Sequence, residues 1–171
     1  MVLCTLPLFR LCRPAGRDYR MKLIVISQRV DYFEIRDEHR DALDQNLVRF
    51  IATCGSLAVP VPNILSPLQL KKWLDRIKPD GIVLSGGNDI DNMLCRDNTE
   101  KYLLEYASRN YLPLLGICRG MQMIGAWEGA ELTSVEGHVG HRHQLIGDIE
   151  REVNSFHKSS LVRLPKQLSV L

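Results

Sequence analysis

The sequence carries almost no excess charge: 22 Lys and Arg against 20 Asp and Glu leave +2 over 171 residues. That excludes the basic footprint of a nucleic-acid binder or of a protein drawn to acidic membranes. No apolar run approaches the roughly 20 residues a membrane span requires. The five cysteines, Cys4, Cys12, Cys54, Cys95 and Cys118, are odd in number and include no C-x-x-C pair. A disulfide framework is therefore disfavoured, and a reducing cytoplasm suits the chain better. Internal repeats and low-complexity tracts are absent too. In residues 1–20 the apolar patch precedes Arg10, Arg13, Arg17 and Arg20, the reverse of a signal peptide. This segment reads as a disordered or non-native extension, with Met21 a natural start for one domain over 21–171.

What is present is an alternation of buried strands and helices. Lys22–Ser27 is continuously apolar at its centre, as a strand covered on both faces would be. Glu38–Cys54 has helical spacing at Ala42, Leu43, Leu47, Phe50, Ile51 and Cys54, with Gly55 as its stop. Leu57–Val61 is a second strand. Ser66-Pro67 opens a helix whose buried face is Leu70, Trp73, Leu74 and Ile77. Asp80–Ser85 is a third strand, followed by a helix over Asp97–Asn110, a strand over Leu112–Ile117 and a helix over Arg119–Gly129. Glu131–Val135 is a fifth strand, and residues 136–171 read as polar and irregular. This order predicts an α/β fold, a parallel sheet with helices on both faces, and a ligand site at the carboxyl ends of its strands.

Two glycine-rich strand ends fall on that edge: Ser85-Gly86-Gly87 and Gly116-Ile117-Cys118-Arg119-Gly120. The second is G-x-C-x-G, the thiol form of a nucleophile elbow. A sharp turn there places Cys118 at a helix N-terminus, which favours the thiolate. The N–H of Arg119 is then one oxyanion donor, and the Gly86-Gly87 turn supplies the second.

Together with these elements stand SGGND at 85–89, Arg96-Asp97 followed by Glu100, GICRGMQ at 116–122, and VNSFH at 153–157. This combination resembles the class I glutamine amidotransferase superfamily from about Lys22 to the C-terminus, and within it the γ-glutamyl hydrolase branch typified by γ-glutamyl-γ-aminobutyrate hydrolases. ISQR at 26–29, and SGGND where many relatives place proline before the glycines, are similar to γ-glutamyl-CDP-amidate hydrolases of capsule biosynthesis. The resemblance implies a flavodoxin-like sheet, no cofactor, and Cys118 as the nucleophile on a γ-glutamyl amide. It implies oxyanion donation near Gly87 and Arg119, and a thioester that water hydrolyses to glutamate. Gly86, Arg119, Gln122, Asn154, Ser155 and His157 are the implied substrate contacts. The implied partner is a small-molecule γ-glutamyl substrate, with a homodimer left open.

The family's base is a histidine followed two residues later by glutamate, and no His-x-Glu occurs here. The chain therefore reads as an incomplete family member without its last strands, whose competence rests on finding another base. Two other readings stand beside the hydrolase: a glutaminase subunit feeding ammonia to a synthase, and an inactive binder retaining the glutamyl pocket. His138, His141 and His143 invite a metal site, but H-x-x-H-x-H fits neither a helical face nor a standard finger, so no metal ligand is assigned. Asp97 and Glu100 read as structural, orienting the loop after Gly87.

Overall fold

The computed structural model describes residues 20–147, 150–166 and 168–169. The predicted N-terminal extension lies outside the described residues except for Arg20, which pairs with Asp80. Four parallel strands form the central sheet: β1 (Lys22–Ile26), β4 (Ser56–Pro60), β5 (Gly81–Leu84) and β6 (Leu114–Gly116). Their spatial order is β4-β1-β5-β6. Counted by appearance in the sheet this is 2-1-3-4, the opening of the flavodoxin-like order.

The apolar runs are explained by burial on both faces. Along β1, Ile24 and Ile26 pack toward Ile51 of α1 (Gln45–Thr53), together with Val83 and Leu115. Val25 points the other way, into a core shared with Ile82 and Leu84. That core takes Leu70 and Leu74 from α2 (Pro67–Ile77), Leu103 and Leu104 from α3 (Leu94–Asn110), and Met123 and Ile124 from α4 (Arg119–Trp127). Ser66 caps α2 in a reciprocal box with Gln69. Gly55 follows α1 at φ +73°, a left-handed position that suits glycine.

Three antiparallel ribbons surround this sheet and change the expected picture. Glu38–Ala42 is a strand, β3, paired with β2 (Arg29–Phe33), and α1 begins only after Asp44 caps it. The helical spacing of Ala42 and Leu43 with Leu47 was a continuation of the α1 pattern across its cap. β7 (Glu131–Ser134) does not join the parallel sheet as a fifth strand; it pairs antiparallel with β10 (Ser159–Val162). The region expected to be irregular also holds β8 (Val139–Gln144) paired with β9 (Glu152–Phe156). Their residues are mostly exposed, so they lack the apolar signal of a buried strand. No helix among the described residues is long and apolar enough to cross a membrane.

Candidate active site

Cys118 stands between β6 and α4, exposed, with φ 52° and ψ −110°. A non-glycine residue in that region is strained, and such strain gathers where a side chain must be held out of its sheet. The flanking glycines are required by contact rather than by composition. A Cβ on Gly116 would lie 2.6 Å from the Met121 nitrogen, and one on Gly120 would run into the carbonyl of Leu84. The elbow helix can press this closely on β5 and β6 only without those side chains.

Across from the thiol is the Gly86-Gly87 turn. Gly86 lies beneath the Cys118 side chain, and Gly87 has φ +82°. The Arg96 guanidinium donates to three successive carbonyls, those of Ser85, Gly86 and Gly87. In a trans peptide the N–H opposes its carbonyl. The N–H groups of Gly86, Gly87 and Asn88 therefore point away from Arg96, on the open side of the turn. Arg119 begins α4, so its N–H has no intrahelical acceptor.

Behind this backbone is a buried network of four charges. Glu100 accepts from Arg96 Nε at 2.9 Å and from Ser27 Oγ at 2.7 Å, and its second oxygen pairs with Arg119. Arg119 also pairs with Asp97, whose other oxygen accepts the Asp91 N–H at 2.8 Å. Burial pulls both arginines down to about 10, because desolvation disfavours their charged form. The structural reading of Asp97 and Glu100 thus holds. Arg119 differs from expectation: its side chain turns inward to the carboxylates, which leaves its backbone at the cleft that holds Cys118.

The remaining sequence candidates divide. A cleft of about 220 Å³ brings Cys118 together with Gly87, Arg119, Gln122 and His157. Within it, the Gln122 amide is occupied in part by fastening α4 to β10, donating to the Ser159 carbonyl at 2.7 Å. Asn154 is exposed on β9 outside the cleft lining, and Ser155 is buried with no partner for its hydroxyl among the described residues. His157 is held through Nδ1 by the Ser159 carbonyl at 2.9 Å. That fixes its proton on Nδ1 and its lone pair on Nε2, which receives His138 Nδ1 at 3.2 Å. Burial holds its pKa below the ordinary histidine value. His143 packs against His138 with tilted rings whose centroids are 4.7 Å apart. Among the described residues no group of three His, Cys, Asp or Glu side chains is placed to hold a metal.

Sequence reasoning missed two supports of the site. Ser27, the serine of ISQR, accepts the Ser85 N–H at 2.9 Å as well as donating to Glu100. The Asn88 side chain pairs with the Val30 backbone in both directions, at 2.8 and 3.0 Å, tying the β2–β3 ribbon to the glycine turn. The i,i+4 spacing of Arg96 and Glu100 was the available signal for the network.

The peptidase C26 family model matches residues 22–145. Gamma-glutamyl-CDP-amidate hydrolase of Campylobacter jejuni is 37% identical over 94 residues, 51% of this chain and 46% of that protein. A glutamine-hydrolyzing GMP synthase subunit of Pyrococcus furiosus is 32% identical over 133 residues, 72% of this chain and 66% of that protein. The chain thus spans about half to two thirds of the length of these relatives. The crystal structure of a protein assigned as a GMP synthase subunit from Thermoplasma acidophilum superposes with TM-score 0.58 at 22% identity, covering 86% of this chain and 71% of that one. It shares the fold.

Proposed function

The chain belongs to the peptidase C26 family, and on that premise we propose that it is a cysteine hydrolase of γ-glutamyl amide bonds. The observation that carries this reading is the strained, exposed Cys118 at the start of α4, facing a glycine turn whose carbonyls Arg96 holds back. The thiolate of Cys118 attacks the γ-carbonyl carbon. The N–H groups of Gly87 and Arg119 receive the negative oxygen, an electrostatic contribution that commonly exceeds any other single one. The C–N bond then breaks, the nitrogen leaves with a proton, and water cleaves the glutamyl thioester to release glutamate and restore the thiol. Gln122 and His157 border the glutamyl half of the cleft. The similarity to a gamma-glutamyl-CDP-amidate hydrolase favours a leaving group larger than ammonia.

A second reading, a glutaminase subunit that supplies ammonia to a synthase, draws on the GMP synthase relatives. A third, a binding protein that keeps the glutamyl pocket without turnover, draws on the lack of any His-x-Glu in the sequence. One assay separates them: release of p-nitroaniline from γ-glutamyl-p-nitroanilide by the chain and by Cys118→Ala. Release that disappears in the variant supports the hydrolase and makes His157 the acceptor to test next. Equal rates for both, in folded samples that bind glutamate, support the binder. Activity appearing only with a copurified synthase supports the glutaminase.

A further inference from the structure

Asp89 lines the cleft that holds Cys118, two residues beyond Gly87. It stands on a short loop tied down on both sides. Before it, the Asn88 side chain is paired with the Val30 backbone. After it, Asp91 gives its N–H to buried Asp97 at 2.8 Å, and the Asn92 N–H reaches back to the Asp89 carbonyl at 3.3 Å. Asn88 and Asp91 hold left-handed backbones, with φ 51° and 70°, which asparagine and aspartate tolerate better than most side chains. The loop therefore sets the Asp89 carboxylate at a fixed place on the rim.

Charge elsewhere in the lining is already engaged. Arg119 turns its guanidinium inward to Asp97 and Glu100. Burial disfavours the charged form of His157. Gln122 donates to the Ser159 carbonyl, which leaves its Oε1 as an acceptor. The Asp89 side chain, by contrast, is exposed and has no hydrogen bond or ion pair among the described residues. Its charge favours the charged form of Arg119 only through the field, without an ion pair. The cleft thus offers one unpaired carboxylate and no unpaired cation. Such a cleft attracts a cationic head and repels an anionic one. A γ-glutamyl group carries one cation, its α-ammonium, three carbons from the scissile carbonyl. Asn92 lines the same cleft with no side-chain partner among the described residues, and its amide is placed to donate to the α-carboxylate.

Resting on the hydrolase reading, we propose that Asp89 is the specificity residue of the glutamyl side. It accepts the α-ammonium, so the chain acts on γ-glutamyl amides whose amino group is free and discriminates against their glutaryl counterparts. Asp89 takes no part in bond breaking, so its loss raises KM for the γ-glutamyl substrate more than it lowers kcat.

The test compares γ-glutamyl-p-nitroanilide with glutaryl-p-nitroanilide, which lacks the amino group, on the full chain, on Asp89→Asn and on Asp91→Asn. Asp91 is outside the cleft lining. The full chain should favour the γ-glutamyl substrate in kcat/KM by about tenfold, the worth of one charge-assisted hydrogen bond. Asp89→Asn should remove most of that preference through the γ-glutamyl substrate alone, and Asp91→Asn should keep it. No preference in the full chain, or a preference intact in Asp89→Asn, would overturn the assignment. Its loss in both variants would overturn it too, since the general field of the loop would then be the cause. Calorimetric binding of glutamate and of glutarate to the same three proteins makes the comparison without turnover. Asp89-dependent preference for glutamate, with no Cys118-dependent release of p-nitroaniline, keeps the assignment and removes the hydrolase. Cys118-dependent release with no Asp89-dependent preference does the reverse, and neither binding nor release removes both.

Discussion

Replacing Glu100 by glutamine keeps the shape of the side chain and removes one charge from the quartet of Arg96, Asp97, Glu100 and Arg119. Glu100 is fully buried and serves three donors: Arg96, Arg119 and Ser27. An amide has one accepting end. Whichever way it is turned, its NH₂ meets either Arg119 or the Arg96–Ser27 pair, and two buried guanidinium groups are left with Asp97 as the one remaining carboxylate of the quartet. Breaking a buried ion pair from one side costs about 3–5 kcal/mol. With an m value of about 2 kcal/mol/M, the lower figure moves the urea midpoint down by about 1.5 M. The assay is equilibrium urea unfolding followed by tryptophan fluorescence, which reports Trp73 in α2 and Trp127 at the end of α4. A midpoint lowered by less than about 0.3 M, or roughly 0.6 kcal/mol, would refute the view that this network is a balanced charge cluster holding α3 to α4.

Cys118→Gly should abolish p-nitroaniline release and at the same time stabilise the fold. Glycine relieves the strain at φ 52°, ψ −110°, worth about 1–3 kcal/mol, part of which its greater unfolded-state entropy offsets. A melting temperature raised by a few degrees is expected, and a fall would refute strain at the elbow. His157 has its pKa lowered in the fold, chiefly by burial. The unfolded chain then binds the proton more readily, so this histidine contributes stability above its unfolded value, lost as pH falls through the lower folded value. His157→Gln should flatten the urea midpoint between pH 7 and 5, and an unchanged pH slope would contradict the burial of its neutral form.

Strands hidden on both faces were legible because both sets of alternating side chains had to be apolar. Ile24, Val25 and Ile26 declare β1 for that reason. The elbow was legible too, since Gly116 and Gly120 are demanded by backbone contacts that any such turn must make. The ribbons were not. β3 reads EHRDA, exposed through its centre, so neither period marks it, and its place is set by Asn63 donating to Asp41. The start of α3 was misplaced for a related reason. Its first turns bury Arg96, Asp97 and Glu100, and burial of charge is decided by Arg119 of α4 and by Ser27 just after β1, partners that no local window contains. The inward turn of Arg119 followed from the same partners. His157 stood in the sequence as a residue of a motif, and its orientation depends on the Ser159 carbonyl and on His138 nineteen residues away.

The four-charge cluster also constrains how this chain could change by mutation. Apolar side chains of similar volume often replace a buried ion network at no loss. Here any first step toward such a replacement leaves an unbalanced charge: losing Arg119 leaves Asp97 without an arginine, and losing Glu100 leaves Arg96 without a carboxylate. The fitness landscape at these four positions is therefore a valley between two habitable ridges. Substitutions there should be tolerated only as compensated pairs, and a library that varies positions 96, 97, 100 and 119 together should yield folded solutions that one-at-a-time scanning never reaches.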